Sequence, residues 1–269
     1  MTEPRVRVRA AAFSESGPHR SVNQDSAFTS PWGAAVADGV GGGPAGDLAS
    51  AAFLHRLVAG RPAGLDAEEL ATRIRGANWD LRAHVDRDPA LRGMSTTFTG
   101  VFASRRGGML LAHTGDSRAY LVRSGHMWQL SRDDSFVQAL VDQGLVTPED
   151  AVHHPRRNVI TASLSGDERD AAVIAEYEAA AGDRWLLCSD GLTDYVADAD
   201  ILAVLADPTD AETAARRCVE LALEADSHDN VTVVVCDVAE GGFSAGEVQA
   251  EASFYGAAAG RFTEEFDPS

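Results

Sequence analysis

Four aspartates stand at the ends of predicted β-strands, and this repetition constrains the fold more than any other feature of the sequence. Asp38 follows Ala-Val-Ala, Asp116 follows His-Thr-Gly, Asp190 follows Leu-Leu-Cys-Ser, and Asp229 precedes Asn-Val-Thr-Val-Val-Val. In a core built from sheets, strand ends from distant parts of the chain can meet at one edge. Four carboxylates that meet there cannot all stay ionised without a cation. The sequence therefore predicts a divalent-metal centre at one edge of a sheet.

The side chains available for this centre favour a hard cation. Oxygen donors suit Mg²⁺ or Mn²⁺ better than Zn²⁺, and the eight histidines contain neither HExxH nor a paired spacing typical of zinc ligands. The three cysteines, Cys188, Cys218 and Cys236, are odd in number and lack CxxC spacing. They are therefore predicted to be buried apolar residues rather than members of a disulfide framework or a thiolate metal site.

The order of the predicted elements indicates an α+β fold with antiparallel sheets. Residues 5–13 alternate Arg and Val before turning apolar, which predicts a first strand at a sheet edge. Strands and paired helices then follow without regular βαβ alternation, and Gly-bearing turns between residues 96 and 130 indicate a meander. The other predicted strands are Ala34–Ala37, Ala172–Glu178, Arg184–Cys188 and Val231–Val238, and the predicted helices are Ala45–Val58, Asp66–Val85, Phe136–Gln143, Asp200–Leu205 and Asp210–Glu224.

Composition excludes two classes of partner. The 269 residues carry a formal net charge of −18, which repels nucleic-acid phosphates and anionic membrane surfaces. No apolar run is long enough to span a bilayer, and no apolar segment of a secretory signal follows the N-terminal basic residues. We therefore expect a cytoplasmic protein. Beyond Ala239 the aliphatic residues thin out, so residues 239–269 are expected to form a C-terminal appendage, with partial disorder as the default.

Six short motifs are spread over the chain between residues 5 and 238. They are Arg20-Ser-Val-Asn-Gln-Asp25, Asp38-Gly-Val-Gly-Gly-Gly, Gly93-Met-Ser-Thr-Thr, Gly115-Asp-Ser-Arg-Ala-Tyr-Leu, Leu187-Cys-Ser-Asp-Gly-Leu-Thr-Asp and Asp229-Asn-Val-Thr-Val. Their sequences and their order resemble the metal-dependent protein phosphatase 2C family, bacterial branch. The resemblance implies a catalytic domain over residues 1–238, built as a central antiparallel β-sandwich with helices on both sides. It also implies hydrolysis of phosphorylated Ser/Thr proteins at two Mn²⁺ or Mg²⁺ ions.

The resemblance further implies roles for the metal-site residues. Asp38 corresponds to the carboxylate that bridges both ions, and the backbone carbonyl of Gly39 helps to bind one of them. Asp190 and Asp229 correspond to the terminal ligands of the other ion. Asp116, together with Asp190, corresponds to the weaker third metal site of bacterial members. A hydroxide bridging the two main ions would then attack phosphorus directly, without a phosphoenzyme.

Other residues correspond to groups around the ions. Arg20 matches the phosphate-binding arginine, whose planar fork can hold two phosphate oxygens. Asp25 matches a carboxylate that orients metal-bound water, and Asn158 is a weaker candidate for the third site. The irregular residues 144–166 correspond to a flap over the active site. Val40 stands where some eukaryotic members carry a histidine proposed to protonate the leaving group, so the identity of that acid stays open.

Two other features of the sequence suggest different functions, but each lacks something that its class of protein needs. Gly41-Gly-Gly43-Pro-Ala-Gly46 matches the GxGxxG loop of dinucleotide-binding domains, but Asp38 would repel a pyrophosphate and βαβ alternation is missing. Cys188 is not followed by the Cys-x5-Arg loop of a thiol nucleophile. Two alternatives stay open: a phosphatase-fold module that binds phosphoproteins or a regulatory partner without turnover, and a regulatory phosphatase for one anti-sigma antagonist. The main prediction is a monomeric phosphatase that opposes bacterial Ser/Thr kinases.

Overall fold

Two antiparallel β-sheets lie face to face at the centre of the structure, a computed structural model that describes residues 6–40, 45–241, 244–248 and 250–260. The strands are β1 (Val6–Glu15), β2 (Asp25–Ser30), β3 (Gly33–Val40), β4 (Ser95–Thr96), β5 (Phe98–Ala103), β6 (Met109–Thr114), β7 (Arg118–Arg123), β8 (His126–Gln129), β9 (Val173–Tyr177), β10 (Arg184–Cys188), β11 (Val231–Glu240) and β12 (Ser253–Gly256). The helices are α1 (Gly46–Val58), α2 (Ala67–Arg87), α3 (Phe136–Asp142), α4 (Pro148–Ala151), α5 (Asp190–Thr193), α6 (Asp198–Ala206), α7 (Ala211–Glu224), α8 (Ala245–Val248) and α9 (Ala257–Gly260).

The sheet topology agrees with the predicted fold class. The first sheet has the strand order β1-β11-β10-β7-β8. The second places β12, β2, β3, β5, β6 and β9 side by side, with β4 attached to β3. Adjacent strands in both sheets run antiparallel. The prediction of an α+β fold with antiparallel sheets is confirmed, and β1 lies at a sheet edge, as its alternation predicts.

The apolar strands β10 and β11 are buried on both faces. Trp185 and Leu187 of β10 join the core shared with the second sheet, whereas Leu186 and Cys188 join the core beneath α5, α6 and α7. Successive side chains of a strand point to opposite faces, so a strand covered on both sides needs an unbroken apolar run. Full burial of each large side chain contributes about 1.5–3 kcal/mol. These two strands therefore form a rigid support for the residues at their ends.

Helices cover the outer face of each sheet. Helix α1 packs on β2, β3 and α2, while α7 packs on β1 and β11. Helix α2 begins with a capping box, in which the Asp66 side chain accepts from the Glu69 N–H at 2.9 Å and the Glu69 side chain accepts from the Asp66 N–H at 3.0 Å. Within the described residues, none of the helices combines the length and apolarity needed to cross a membrane.

Strand β2 was not predicted from the sequence pattern. All six of its residues are buried, although four of them are polar. The hydroxyl groups find partners inside the protein: Ser26 Oγ lies 2.9 Å from Ser50 Oγ of α1, and Ser30 Oγ donates to the Gly33 carbonyl at 2.7 Å. Apolar periodicity does not reveal such a strand, because tertiary hydrogen bonds make its polar residues compatible with burial.

Part of the segment beyond Ala239 belongs to the sheets. Strand β11 continues to Glu240, and Ser253–Gly256 pairs with β2 as the edge strand β12. The Phe254 ring stacks on His55 of α1 with ring centroids 3.8 Å apart. Two aromatic residues of the expected appendage, Phe262 and Phe266, lie outside the described residues. Residues 250–260 therefore pack against the second sheet at its β2 edge and against helix α1.

Candidate metal centre

Asp25 and Asp38 face each other where β2 pairs with β3. The register of these strands makes their Cα atoms direct partners. The backbone of Asp38 is fixed by the neighbouring strands, since its N–H donates to Thr97 Oγ1 at 3.0 Å and its carbonyl accepts from Thr96 Oγ1 at 2.9 Å. Asp25 Oδ2 accepts a hydrogen bond from Ser189 Oγ at 2.8 Å, which ties the end of β10 to the start of β2.

Asp190 and Asp229 reach the same edge from β10 and β11. Asp190 is the first residue of α5, two residues after the end of β10, and Asp229 lies two residues before β11. The two segments touch closely: a Cβ atom on Gly191 would lie 2.0 Å from the Asn230 carbonyl oxygen, so a side chain cannot be accommodated there. Packing of the two sheets thus brings carboxylates from four separate segments to one edge.

Burial and mutual repulsion raise the pKa values of four carboxyl groups at this edge. Burial is the largest cause for Asp38, followed by the charges of Asp25, Asp190 and Asp116, and together they raise its pKa well above the ordinary value. The pKa of Asp190 is likewise raised well above its ordinary value by burial and then by nearby carboxylates, Asp116 first. Burial raises the pKa of Asp25 to about 6 and that of Asp116 to about 7. Repulsion of this kind is relieved when cations replace protons.

Two buried oxygens test whether the cluster fits a cation. Oδ1 of Asp25 and Oδ1 of Asp190 are buried without a hydrogen-bond partner among the described residues. Buried carboxylate oxygens are normally satisfied, so each of these atoms needs a further partner. The donors of the cluster are all oxygens, the type that Mg²⁺ and Mn²⁺ prefer. The chain therefore presents a donor set that fits the expected cations.

Gly39 lies next to Asp38 in the tightest part of this edge. Its N–H donates to the Gln24 carbonyl at 3.2 Å. A Cβ atom at this position would lie 2.2 Å from the carbonyl oxygen of Gly46, the first residue of α1. Any side chain at residue 39 would push α1 away from β3. The glycine is thus required by packing, while the role of its carbonyl as a metal ligand stays a prediction.

Arg20 lies at the exposed rim of the cluster. Its Nη2 atom is 2.7 Å from Asp229 Oδ2, and its Nε donates to the His228 carbonyl at 3.1 Å. The side chain keeps 43% of its accessible surface. The structure therefore brings the predicted phosphate-binding group to the predicted metal ligands and leaves the guanidinium accessible from solvent.

A cavity of about 310 Å³ opens beside Asp116 and Asp190. Asn158 lines it, as does Asp194, the last residue of the motif that contains Asp190. Asp194 was assigned no role from the sequence, yet burial raises its pKa, and its Oδ2 lies 3.3 Å from Arg157 Nε of the flap. The sequence signal that could have identified Asp194 is its place at the end of the motif that begins at Leu187. The flap and the carboxylates therefore share one cavity.

Arg118 was also missed as a residue of this cavity. It follows Asp116 by two positions, within the motif Gly-Asp-Ser-Arg. Its guanidinium holds Asp133 through Nε at 3.0 Å and Nη2 at 2.7 Å, and both residues line the cavity. A bidentate pair of this kind fixes the geometry of both groups. The pair thereby joins the start of β7, two residues after Asp116, to the segment around Asp133.

The rival interpretations gain no support from the structure. Residues 41–44 of the glycine-rich run lie outside the described residues, but the described sheets are antiparallel rather than the parallel sheet of a dinucleotide-binding domain. The prediction for the cysteines is confirmed, since all three are free and buried. Burial raises the pKa of the Cys188 thiol above its ordinary value, so this residue is a poor nucleophile.

Comparison with known proteins connects this geometry to a family. A sequence profile described as protein phosphatase 2C matches residues 19–225. The chain is 46% identical over 237 residues to the serine/threonine protein phosphatase PstP of Mycobacterium tuberculosis, covering 87% of this chain and 45% of that protein. It is 32% identical to the serine/threonine phosphatase stp of Listeria innocua, covering 75% of this chain and 82% of that protein.

A solved structure gives the same result. The crystal structure of the PstP catalytic domain in complex with two manganese ions superposes on this chain with a TM-score of 0.80 at 40% identity. The match covers 87% of this chain and 100% of that chain. This chain thus spans a little under half of full-length PstP, at 45%, but the whole of its crystallised catalytic domain. On the profile match, the sequence identities and the shared architecture, the chain belongs to the protein phosphatase 2C family.

Proposed function

We propose that this chain is a metal-dependent protein-serine/threonine phosphatase that hydrolyses phosphomonoesters. The observation that carries the proposal is the carboxylate cluster, in which Asp25 and Asp190 each keep a buried oxygen without a partner among the described residues. An exposed guanidinium, that of Arg20, stands beside it. Clustered oxygen donors and an accessible arginine are the groups that phosphoryl transfer requires.

The proposed metal ligands are Asp38, Asp190 and Asp229 with the carbonyl of Gly39, and Asp116 with Asp190 for a weaker third ion. When bound, Mn²⁺ or Mg²⁺ supplies Lewis acidity, which lowers the pKa of coordinated water and neutralises charge on phosphoryl oxygens. The manganese ions in the PstP catalytic domain support this choice of metal.

The chain's own residues then act on water and on phosphate. Asp25 Oδ2 accepts a hydrogen bond from Ser189 Oγ, which leaves Oδ1 available. Oδ1 can accept a hydrogen bond from an attacking water and so set the orientation of that water. The Arg20 guanidinium binds phosphate oxygens with its planar fork and offsets the charge that develops in the transition state. Without phosphate, Arg20 pairs with Asp229 at the rim of the cluster, and it would leave this pairing to bind phosphate.

The finer aspects of this function rest on the family resemblance. The proposed substrates are phosphorylated Ser/Thr proteins of bacterial kinase pathways, including the kinases themselves, and the proposed location is the cytoplasm. Residues 1–238 are proposed as the catalytic unit, acting as a monomer. The regulatory phosphatase for a single anti-sigma antagonist would differ by strong preference for one phosphoserine protein over generic phosphothreonine peptides.

The experiment that tests the proposal is hydrolysis of a phosphothreonine peptide by the purified protein with EDTA, with Mg²⁺ and with Mn²⁺. Turnover should require metal and should be lost in Asp38→Ala while the fold, followed by circular dichroism, is retained. Asp86→Ala is the matched control, because Asp86 is an exposed carboxylate of α2 whose one ion pair within the described residues is with Arg82. Absence of turnover with every metal, in a folded protein that binds metal, would favour the non-catalytic binding module.

A second experiment separates the third metal site from the main pair. Asp116→Ala should lower turnover by about tenfold, because it removes a ligand of the weaker site only. Bound metal, measured after gel filtration, should remain at two ions per chain. An Asp116→Ala protein that lost all metal would contradict the proposed division of ligands.

A further inference from the structure

A second group of side chains of the kinds that bind metal ions lies at the surface, outside the carboxylate cluster. His19 Nε2 is 2.8 Å from Asp226 Oδ1, and His228 Nε2 is 3.4 Å from Asp226 Oδ2. One ligand atom from each of the three residues lies within 4.8 Å of the other two. The two imidazole rings are 4.0 Å apart between centroids. Two imidazole nitrogens with one carboxylate form a donor set typical of Zn²⁺ and related transition-metal ions.

The two chain segments that carry these ligands are held in place by other contacts. Asn230 Nδ2 donates to the carbonyls of Ser16 at 3.0 Å and Val22 at 3.1 Å, which joins the segment around His19 to the segment around His228. The hydroxyl of buried Ser227 donates to the Gly191 carbonyl at 2.9 Å. The backbone is therefore fixed before any ion arrives, so ion binding has to order only the side chains.

The ligand side chains are open to solvent. The accessible fraction is 40% for His19, 61% for His228 and 72% for Asp226. An ion can reach them directly, and three protein ligands leave a fourth tetrahedral position for water. We propose that His19, Asp226 and His228 bind a transition-metal dication such as Zn²⁺, in a site separate from the carboxylate centre.

The position of this site connects it to the proposed catalytic groups. His19 adjoins Arg20, His228 adjoins Asp229, and the His228 carbonyl already accepts a hydrogen bond from Arg20. An ion bound by both histidines restrains the chain on either side of the Arg20–Asp229 ion pair. The Arg20 guanidinium is then less able to leave Asp229 and bind a phosphate group. Occupancy of the site therefore lowers turnover, a consequence that rests on the proposed phosphatase function.

The site itself is tested by metal binding, without reference to activity. Protein saturated with Mg²⁺ is titrated with Zn²⁺ by calorimetry, and Co²⁺ is added separately to follow the visible absorption of a tetrahedral site. Wild type should bind one more Zn²⁺ than the His19→Gln/His228→Gln double variant, and it should show a cobalt band that the variant lacks. His126→Gln is the control, because His126 is exposed and contacts Ser124 and Trp128, away from the cluster.

A second variant guards against misfolding of the first. Asp226 has φ +58°, a conformation that asparagine tolerates, so Asp226→Asn removes the carboxylate and keeps the turn. Equal Zn²⁺ stoichiometry in wild type and in both variants, or no Zn²⁺ uptake by wild type beyond the carboxylate centre, would overturn the site.

The effect on turnover is measured as the ratio of rates with and without Zn²⁺ in excess Mg²⁺, for each protein separately. We expect a decrease of about fivefold or more in wild type and in His126→Gln, and a smaller one in the double variant. Equal inhibition of all proteins would overturn the regulatory effect, because Zn²⁺ would then act at the carboxylate centre. If no protein has activity, the phosphatase proposal fails, while the zinc stoichiometry still decides the site.

Discussion

The aspartates at the two ends of β10 differ in the partners that the protein gives their carboxylate oxygens. Asp183, just before the strand, has a side chain that is 1% exposed and is held by Arg123 through Nε at 2.6 Å and Nη2 at 2.7 Å. It also accepts from the Ala180 N–H at 2.8 Å. Asp190, just after the strand, keeps a buried Oδ1 that has no partner in the described part of the chain.

The difference between these ends separates a carboxylate that the chain satisfies from one that it leaves with an unpartnered oxygen. A buried carboxylate is tolerated when a cation and hydrogen bonds satisfy it. Around Asp183 the chain provides both, so nothing further is needed there. Around Asp190, burial and then the charges of other carboxylates raise the pKa, so the group needs a proton or an external cation to neutralise it. The following predictions test this contrast.

The largest expected effect is the loss of turnover in Asp190→Asn. The substitution keeps the shape of the side chain and removes a proposed metal ligand, so turnover should fall by about 10³-fold or more. Stability in the absence of metal should not decrease. The measurement is phosphopeptide hydrolysis in Mn²⁺ together with urea unfolding in EDTA. Retained activity would place the metal centre elsewhere.

Arg20→Ala should lower kcat/KM by about 10²-fold, because it removes one group that stabilises transition-state charge. Metal content should stay at the wild-type level, since Arg20 is not a ligand. Steady-state kinetics with metal analysis of the same sample distinguishes this variant from Asp190→Asn. Loss of metal from Arg20→Ala would contradict the role assigned to it.

The opposite end of β10 should respond in stability and not in catalysis. Asp183→Asn weakens the charge-assisted hydrogen bonds to Arg123, which should lower the free energy of unfolding by about 1.5–3 kcal/mol. Turnover per folded molecule should match wild type. Urea unfolding provides the first value and kinetics under native conditions the second. If Asp183→Asn lost activity while folded, the contrast between the two ends would be wrong.

The smallest expected effect concerns pH and metal removal. The raised pKa of Asp190 means that the folded metal-free protein binds more protons than the unfolded chain above about pH 4. Stability in EDTA should therefore fall as pH rises from 5 to 8, through the pKa values of about 6 for Asp25 and about 7 for Asp116. Asp190→Asn should make this fall smaller, because it removes one carboxyl group whose pKa is raised in the folded protein.

Saturating Mn²⁺ provides the control for that experiment. Cations then replace the protons, so the unfolding free energy of wild type should stay nearly constant between pH 5 and pH 8. Thermal or urea unfolding at a series of pH values measures both conditions. A metal-free protein that became more stable with rising pH would show that the carboxylate cluster is not repulsive.

Several parts of the fold followed from local pattern. The alternation in residues 5–13 predicted β1 at a sheet edge, and the valine-rich stretch Val231–Val238 predicted most of β11, which extends to Glu240. Helix α2 was expected at Asp66–Val85 and occupies Ala67–Arg87. These signals are local, because periodicity and capping act within a few residues of each other. The polar strand β2 and the pairing of β12 carried no such signal.

The sequence by itself determined the candidate residues for chemistry, which are the aspartates at strand ends and Arg20, and the ordered motifs that placed the chain in its family. Only the tertiary structure decided which of these groups meet. It alone distinguished the satisfied Asp183 from Asp190, drew Asp194 and Arg118 into the cavity, and brought His19 to within 2.8 Å of Asp226. The physical reason is that charge compensation and ligand convergence depend on distances between segments far apart in the chain, which sheet packing sets and local sequence does not.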